Sequence, residues 1–487
     1  MGSKRYLDLP PSIWNLLLWT LPFLLSHNVA AHDQQAFRIG PHPHPQVDGV
    51  LRRFTPDSLD GLESVLDIAQ SHDLDIWQIG SDAVPHVDIY SNSPLPSSLL
   101  STPHSIRNIS THAPSRELKR DSEDWDLTSL ENTTFHAEFH RQPDVDAFIF
   151  EMARLHPESV SVLRLGHSAE EREMLGMKIS TSTLTLTPGA KEKLGFVVLG
   201  PQHAREWVAT STALYLAHAL LSNSSEANSL SSLLDVYDFH IIPSPNPDGY
   251  VHTWDVDRFW YKNRQIVGPN AKCIGIDMNR NWGSHWKPHA KGPLLWTSAS
   301  SDELKKNKKN KKKNKTPADP CSHWYPGHRA FEAPEVNNLA NYITKVNGIG
   351  RGAGKGGGGG GVVAMVDLRS YGQMLATPYS YKCDHLPKDN EDQMEALLGA
   401  AQAARSVHGT SFTTGRLCEL LYRAPGNILD YVYQTAGIKY AYAAFLRDTG
   451  TYGFAIPPEW IRPVGEETGV LVDYLARFVA RQRGIPM

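Results

Sequence analysis

Short apolar runs bounded by Gly, Pro, Asn or Asp alternate along this chain with longer stretches whose apolar positions recur every three or four residues. The runs at 160–165, 175–179, Leu194–Leu199, 239–242 and 362–366 predict strands, and the helical-period stretches at 145–155 and 208–221 predict helices. Runs this apolar suit strands covered on both faces. From residue 121 onward the alternation therefore predicts one α/β domain on a mixed central sheet, with helices on both faces and functional groups at strand ends. Ahead of it, alternating stretches at 50–54 and 86–90 flank a helical pattern at 59–68, which predicts a small α+β unit. Between 91 and 114 the residues turn to Ser, Pro and Thr, a linker composition.

Some segments follow neither period. Residues 305–315 are almost wholly Lys and Asn, and 350–361 almost wholly Gly. Neither can bury a core, so both are expected as loop insertions, the lysine run solvated rather than bound to a polyanion because no aromatic residue interleaves it. At the N-terminus Lys4 and Arg5 precede an apolar block from Ile13 to Leu25, followed by the small residues Val29, Ala30 and Ala31. The block is short for a bilayer span and reads as a secretory signal peptide over 1–31; no other stretch is expected to span a membrane. Lys119-Arg120 closes the linker-like stretch. It reads either as a processing site, which makes 32–120 a removable pro-segment and 121–487 the mature domain, or as an ordinary solvated pair.

With 487 residues, 40% hydrophobic and 21% charged, the chain is globular. A net charge of -4 and a pI near 6.6 give no global field for nucleic acid or an anionic membrane, so neither is expected as a partner. Export, either out of the cell or to the vacuole, accounts for the even set Cys273, Cys321, Cys383 and Cys418 as material for two disulfides. Glycosylation sequons at Asn108, Asn132, Asn223 and Asn314 fit the same route.

Candidate chemistry begins where the run Leu194–Leu199 breaks at Gly200-Pro201 and delivers Gln202-His203-Ala204-Arg205-Glu206-Trp207. Imidazole nitrogen and carboxylate oxygen suit zinc, which would need a distant second histidine and an open position for water. In a chain with 22 His, one such pair taken alone reads as a solvated helix start sooner than as a site. The segments 246–250 (Asn-Pro-Asp-Gly-Tyr), 277–282 (Asp-Met-Asn-Arg-Asn-Trp), Ser370-Tyr371 and 446–450 (Leu-Arg-Asp-Thr-Gly) follow in order. Over roughly 125–487 this succession resembles the zinc metallocarboxypeptidases of the carboxypeptidase A/B type, and the layout is most similar to their fungal secreted inactive branch, linked to cell-wall organisation.

The resemblance implies one zinc ion, with His203 and Glu206 as ligands and Asp277 as the acid that orients His203. At the third ligand position stands Arg369, which offers no lone pair and is free to pair with Glu206; only another group, such as His385 or water, could complete the site. Phe445 stands at the general-base position, and Tyr261 at that of the oxyanion-stabilising arginine, leaving Arg258 or Lys262 as cations that could reach in. What the pattern retains is substrate recognition. Asn279, Arg280 and Tyr422 match the residues that hold a terminal carboxylate, Leu429 matches the base of an apolar side-chain pocket, and Arg205, Ser370 and Tyr371 match further cleft positions. The implied disulfides are Cys273 to Cys321 and Cys383 to Cys418. Together these imply a secreted, monomeric pseudoenzyme that binds peptide or protein C-termini without hydrolysing them. Two rivals are a weakly active zinc carboxypeptidase releasing hydrophobic C-terminal residues and a purely structural protein with an empty cleft.

Overall fold

The computed structural model describes residues 49–80, 84–109, 125–181, 193–268, 273–288, 319–347 and 361–487. The expected signal peptide, Lys119-Arg120, Asn314, the lysine insert and all but Gly361 of the glycine insert lie outside them.

The N-terminal unit comprises β1 (Gly49–Phe54), α1 (Leu59–Ser71), β2 (Asp75–Gly80), β3 (His86–Ser91), the one-turn α2 (Ser97–Leu100) and β4 (His104–Ile109), with an antiparallel sheet in the order β2-β3-β1-β4. Ser58 starts α1 by accepting a hydrogen bond from the Gly61 N–H at 3.1 Å, and Leu62, Val65, Leu66 and Ala69 bury one face of the helix. The linker expected at 91–114 is corrected over most of its length. Leu95, Leu99 and Ile109 are buried, and β4 pairs with β1 along its whole length. An edge strand needs few apolar residues, so its Ser and Pro neighbours obscured it.

The larger unit contains α3 (Gln142–Leu155), β5 (Val160–His167), β6 (Glu173–Ile179), β7 (Leu194–Leu199), α4 (Trp207–Leu221), β8 (Tyr237–Ile242) and α5 (Pro247–Asp255). A small ladder of β9 (Ile266–Val267) and β10 (Cys273–Ile274) follows, then α6 (Pro334–Val346), β11 (Val362–Arg369), β12 (Met374–Thr377), α7 (Asn390–His408), β13 (Thr413–Arg416), β14 (Tyr440–Phe445) and α8 (Ile461–Gln482). Eight strands form one mixed sheet in the order β13-β12-β14-β11-β7-β8-β6-β5. β7, β11 and β14 are buried throughout and mutually parallel, which explains their unbroken apolar runs.

Alternate residues feed two cores. Phe196, Val198, Val366, Tyr442 and Ala444 meet α3, α4, α7 and α8 on one face, whereas Val197, Leu199, Met365, Ala443 and Phe445 share the other core with α6. Helices on both faces of a mixed sheet are what the sequence predicts. Both expected disulfides are present, Cys273 with Cys321 and Cys383 with Cys418. Asn108, Asn132 and Asn223 are exposed. Among the described residues no helix is long and apolar enough to cross a membrane.

Where the start of this unit packs on α4, His136 Nε2 lies 3.0 Å from His218 Nδ1 in a buried pair of imidazoles. Burial pushes His218 down to about 4 and holds His136 well below its ordinary value. Below about pH 6.5 the unfolded chain takes up protons that the folded chain refuses until near pH 4, so stability is complete above 6.5 and is lost as pH falls. Each such histidine is expected to contribute a slope of about 1.4 kcal/mol per pH unit in this window. Denaturant titrations at several pH values should show a shallower slope in His218→Gln; an unchanged slope would refute the assignment.

Candidate active site

Side chains converge where the C-terminal ends of β7, β11 and β14 lie side by side. A Cβ on Gly200, just beyond β7, would collide with the Pro243 carbonyl oxygen just beyond β8, so only glycine lets the ends of β7 and β8 approach so closely. The following turn is pinned by the Ala204 N–H, which donates to the Tyr261 carbonyl at 3.1 Å, and by the Glu206 N–H, which donates to the His203 carbonyl at 3.2 Å. It feeds His203 and Glu206 into the start of α4. Arg369 ends β11 in register with Phe445, which ends β14, so the two replaced positions are neighbours on adjacent parallel strands.

His203 Nε2 donates to Asp277 Oδ1 at 3.0 Å, which leaves Nδ1 as the acceptor. Nδ1 receives Arg369 Nη2. Arg369 also forks onto Glu206, with Nε donating to Oε2 at 3.1 Å and Nη2 to Oε1 at 3.3 Å, while the Ser370 N–H donates to Oε2 at 3.2 Å. Asp367 sits two residues before Arg369 on the same strand face, its Oδ2 3.5 Å from Arg369 Nη1. Gln202 links Asp367 to Asn279 through its amide, at 3.4 Å to each.

Every member of this group is buried. Burial alone would raise the carboxyl pKa values, but the Arg369 charge holds Glu206 below its ordinary value, and His203 with Arg280 and Arg369 does the same for Asp277. Asp367 goes the other way, pushed up to about 6 by burial, with the charge of Glu206 adding to the effect and Arg369 opposing it. Burial works against the Arg369 cation, yet Glu206 and Asp367 outweigh it and keep the guanidinium charged.

These residues do not fit zinc. A guanidinium has no lone pair, and this one already uses the imidazole nitrogen and both carboxylate oxygens that the metal would need. Among the described residues only Cys273, Asp319 and Cys321 cluster as three potential ligands, and the two cysteines are joined in a disulfide. His385 does not complete the site: it is exposed and bonded to the carbonyl of Asp384.

At the carboxylate-binding end, Arg280 Nε donates to Asp277 Oδ2 at 3.1 Å, while Nη1 and Nη2 have no hydrogen-bond partner although the side chain is only 2% exposed. The guanidinium lies 4.9 Å from the Trp324 ring centre and 5.5 Å from that of Tyr422. Arg280, Asn279, Tyr422, Tyr261, Arg369 and Phe445 line one cavity together. Tyr261 stacks on His203 with ring centres 3.7 Å apart, and burial raises its pKa well above the ordinary value, so it is a neutral hydroxyl, as expected at the position of the family's oxyanion-stabilising arginine. Neither candidate cation replaces it. Arg258 is turned onto the Arg205 and Phe454 carbonyls, and Lys262 donates to those of Pro320 and Ser322. Leu429 is buried but absent from the cavity lining, where Leu417, Leu421 and Ala424 supply the apolar wall.

Strand β2 covers the rest of the cleft. Ile76, Trp77, Gln78 and Ile79 line a second cavity opposite His203, Arg369, Ser370 and Tyr371. Arg205 Nη1 donates to Asp75 at 2.8 and 2.9 Å, and the Tyr371 hydroxyl donates to Asp88 Oδ2 at 2.8 Å. Asp88 is gripped in turn by Arg53, with Nε at 2.7 Å from Oδ1 and Nη2 at 2.6 Å from Oδ2. Two of the expected substrate-cleft residues are therefore engaged by the N-terminal unit. Asp367 and Gln202 were missed by sequence reasoning; a lone carboxylate two residues from an arginine in an apolar strand was the available signal for Asp367.

Comparison with known proteins agrees with this layout. The zinc carboxypeptidase family model (Peptidase_M14) matches residues 145–470. A metallocarboxypeptidase A-like protein of Trichophyton verrucosum is 36% identical over 338 residues, covering 69% of each chain. A protein named inactive metallocarboxypeptidase ECM14, from Ajellomyces dermatitidis, is 27% identical across 98% of this chain and 81% of its own length. Among solved structures, thrombin-activatable fibrinolysis inhibitor superposes with a TM-score of 0.69 at 25% identity, over 90% of this chain and 99% of that one. The matched span holds the turn with His203 and Glu206, the Asp277 to Arg280 corner and the ends of β11 and β14, and on that footing the chain belongs to the zinc carboxypeptidase family.

Proposed function

We propose that this chain is a non-hydrolysing metallocarboxypeptidase homologue whose cleft binds the C-terminal carboxylate of a peptide or protein. The observation that carries the reading is Arg280, whose two free Nη groups are buried in the cleft beside Asn279 and Tyr422. A buried guanidinium fork without acceptors suits a planar carboxylate. Hydrolysis has no means at hand, because Phe445 cannot take a proton, Tyr261 brings no positive charge and Arg369 fills the metal position. The name of the relative from Ajellomyces dermatitidis, an inactive metallocarboxypeptidase, supports this. The signal-like N-terminus and the sequons support export, in line with an extracellular, cell-wall-associated or vacuolar role. Lys119-Arg120 supports release of residues 32–120, which uncovers the cleft.

The test is binding of peptides ending in Leu or Phe to the intact chain and to chain cut after Arg120. Expected are tighter binding after the cut, dependence on a free rather than amidated terminus, and no released amino acid. Arg280→Ala should weaken binding about 100-fold, as loss of a bidentate charged contact of roughly 3 kcal/mol implies. Equal binding of amidated peptides, or zinc-dependent turnover, refutes the proposal.

A further inference from the structure

We propose that Arg369 is a built-in substitute for the metal: its guanidinium stands where zinc would, holds His203 and Glu206 as ligands would be held, and closes the centre to metal ions. The inference rests on the non-hydrolytic reading of the same cleft, but concerns what keeps the centre together rather than what the cleft binds.

The guanidinium is enclosed by partners. Nε and Nη2 engage both oxygens of Glu206, Nη2 also donates to His203 Nδ1, and Nη1 faces Asp367 at 3.5 Å. The Phe445 ring centre lies 5.5 Å from the Arg369 Cζ and supplies a negative π face where the family has its base. Asp277 holds the far side of His203 at 3.0 Å, so the imidazole presents its lone pair inward whether the occupant is a metal or an N–H donor. Asp367 is the distinctive feature. Its carboxylate sets a second negative charge against the remaining N–H edge of the guanidinium, at ion-pair distance. The Arg369 and Asp367 side chains lie two apart on one strand face, so β11 itself delivers both the cation and a carboxylate beside it. A divalent cation added to this pocket would face the Arg369 charge at close range and find its donor atoms already hydrogen-bonded.

The full chain is the material for the test. Incubated with zinc chloride and then dialysed, it is expected to retain no stoichiometric zinc, to show the same Tm with and without EDTA, and to give no visible absorption band with cobalt(II). Arg369→His should do the reverse, taking up one zinc per chain and losing Tm on addition of EDTA. Stoichiometric zinc in the unmodified chain, a cobalt band, or an EDTA-sensitive Tm overturns the proposal. So does a folded R369H variant that takes up no zinc, since the remaining donors would then not be in ligand geometry. If R369H does not fold, the three measurements on the unmodified chain still decide the matter. Peptide binding by zinc-loaded, unmodified chain would defeat this inference and leave the proposed function standing; metal-free chain that binds no peptide after the cut would do the opposite.

Discussion

Arg369→Ala is expected to lower the stability of the full chain by about 3–5 kcal/mol, the range for removing one partner of a buried ion pair. Glu206 would lose both guanidinium contacts while remaining 2% exposed, and His203 would lose its Nδ1 donor. Asp367 has its own escape, because its carboxyl is already pushed up to about 6 and takes a proton once the cation is gone. Glu206 has none as easy, since Arg369 is the main charge that holds it ionised. Urea titration is the measurement. The double variant Arg369→Met with Glu206→Gln should recover most of the loss, because replacing a buried pair by neutral groups of similar size is far milder than orphaning one charge. A loss below about 1 kcal/mol in Arg369→Ala would show that the pair is not buried as described.

Trp77→Ala should cost a comparable amount, about 3–5 kcal/mol, as for other large buried aromatics. Its ring stacks on Tyr90 with centres 4.8 Å apart and meets Phe259 at 4.8 Å and Phe454 at 4.9 Å, while its indole N–H donates to Asp75 at 2.8 Å. The loss falls on the contact between β2 and the cleft, so amide exchange along 75–80 should accelerate more than exchange in β7 or β14. Uniform acceleration everywhere, or none, would contradict a local role. Opened in this way, the uncut variant should also bind a C-terminal peptide that the unmodified uncut chain excludes.

The central strands were legible because burial on both faces leaves an unbroken apolar run, as at Leu194–Leu199. The replaced chemistry was legible through the resemblance to the metallocarboxypeptidases, which sets Arg369, Phe445 and Tyr261 at the ligand, base and oxyanion positions. Less legible was anything set by contacts distant along the chain. Arg205 and Tyr371 read as substrate contacts, but Asp75 and Asp88, 130 and 283 residues away, have claimed them. Long side chains were equally opaque: Arg258 and Lys262 had the reach to enter the cleft, and backbone carbonyls hold them instead. β4 was hidden by composition, because half-exposed edge strands carry too few apolar residues to stand out.

Trp324 belongs to the larger unit, yet it is buried in the hydrophobic core of the N-terminal unit with Phe54, Leu62 and Val87. During synthesis the N-terminal sheet leaves the ribosome first, but one of its core side chains is made only after most of the larger unit. Its final packing must therefore wait for the polypeptide it will cover, which ties the maturation of the lid to that of the cleft.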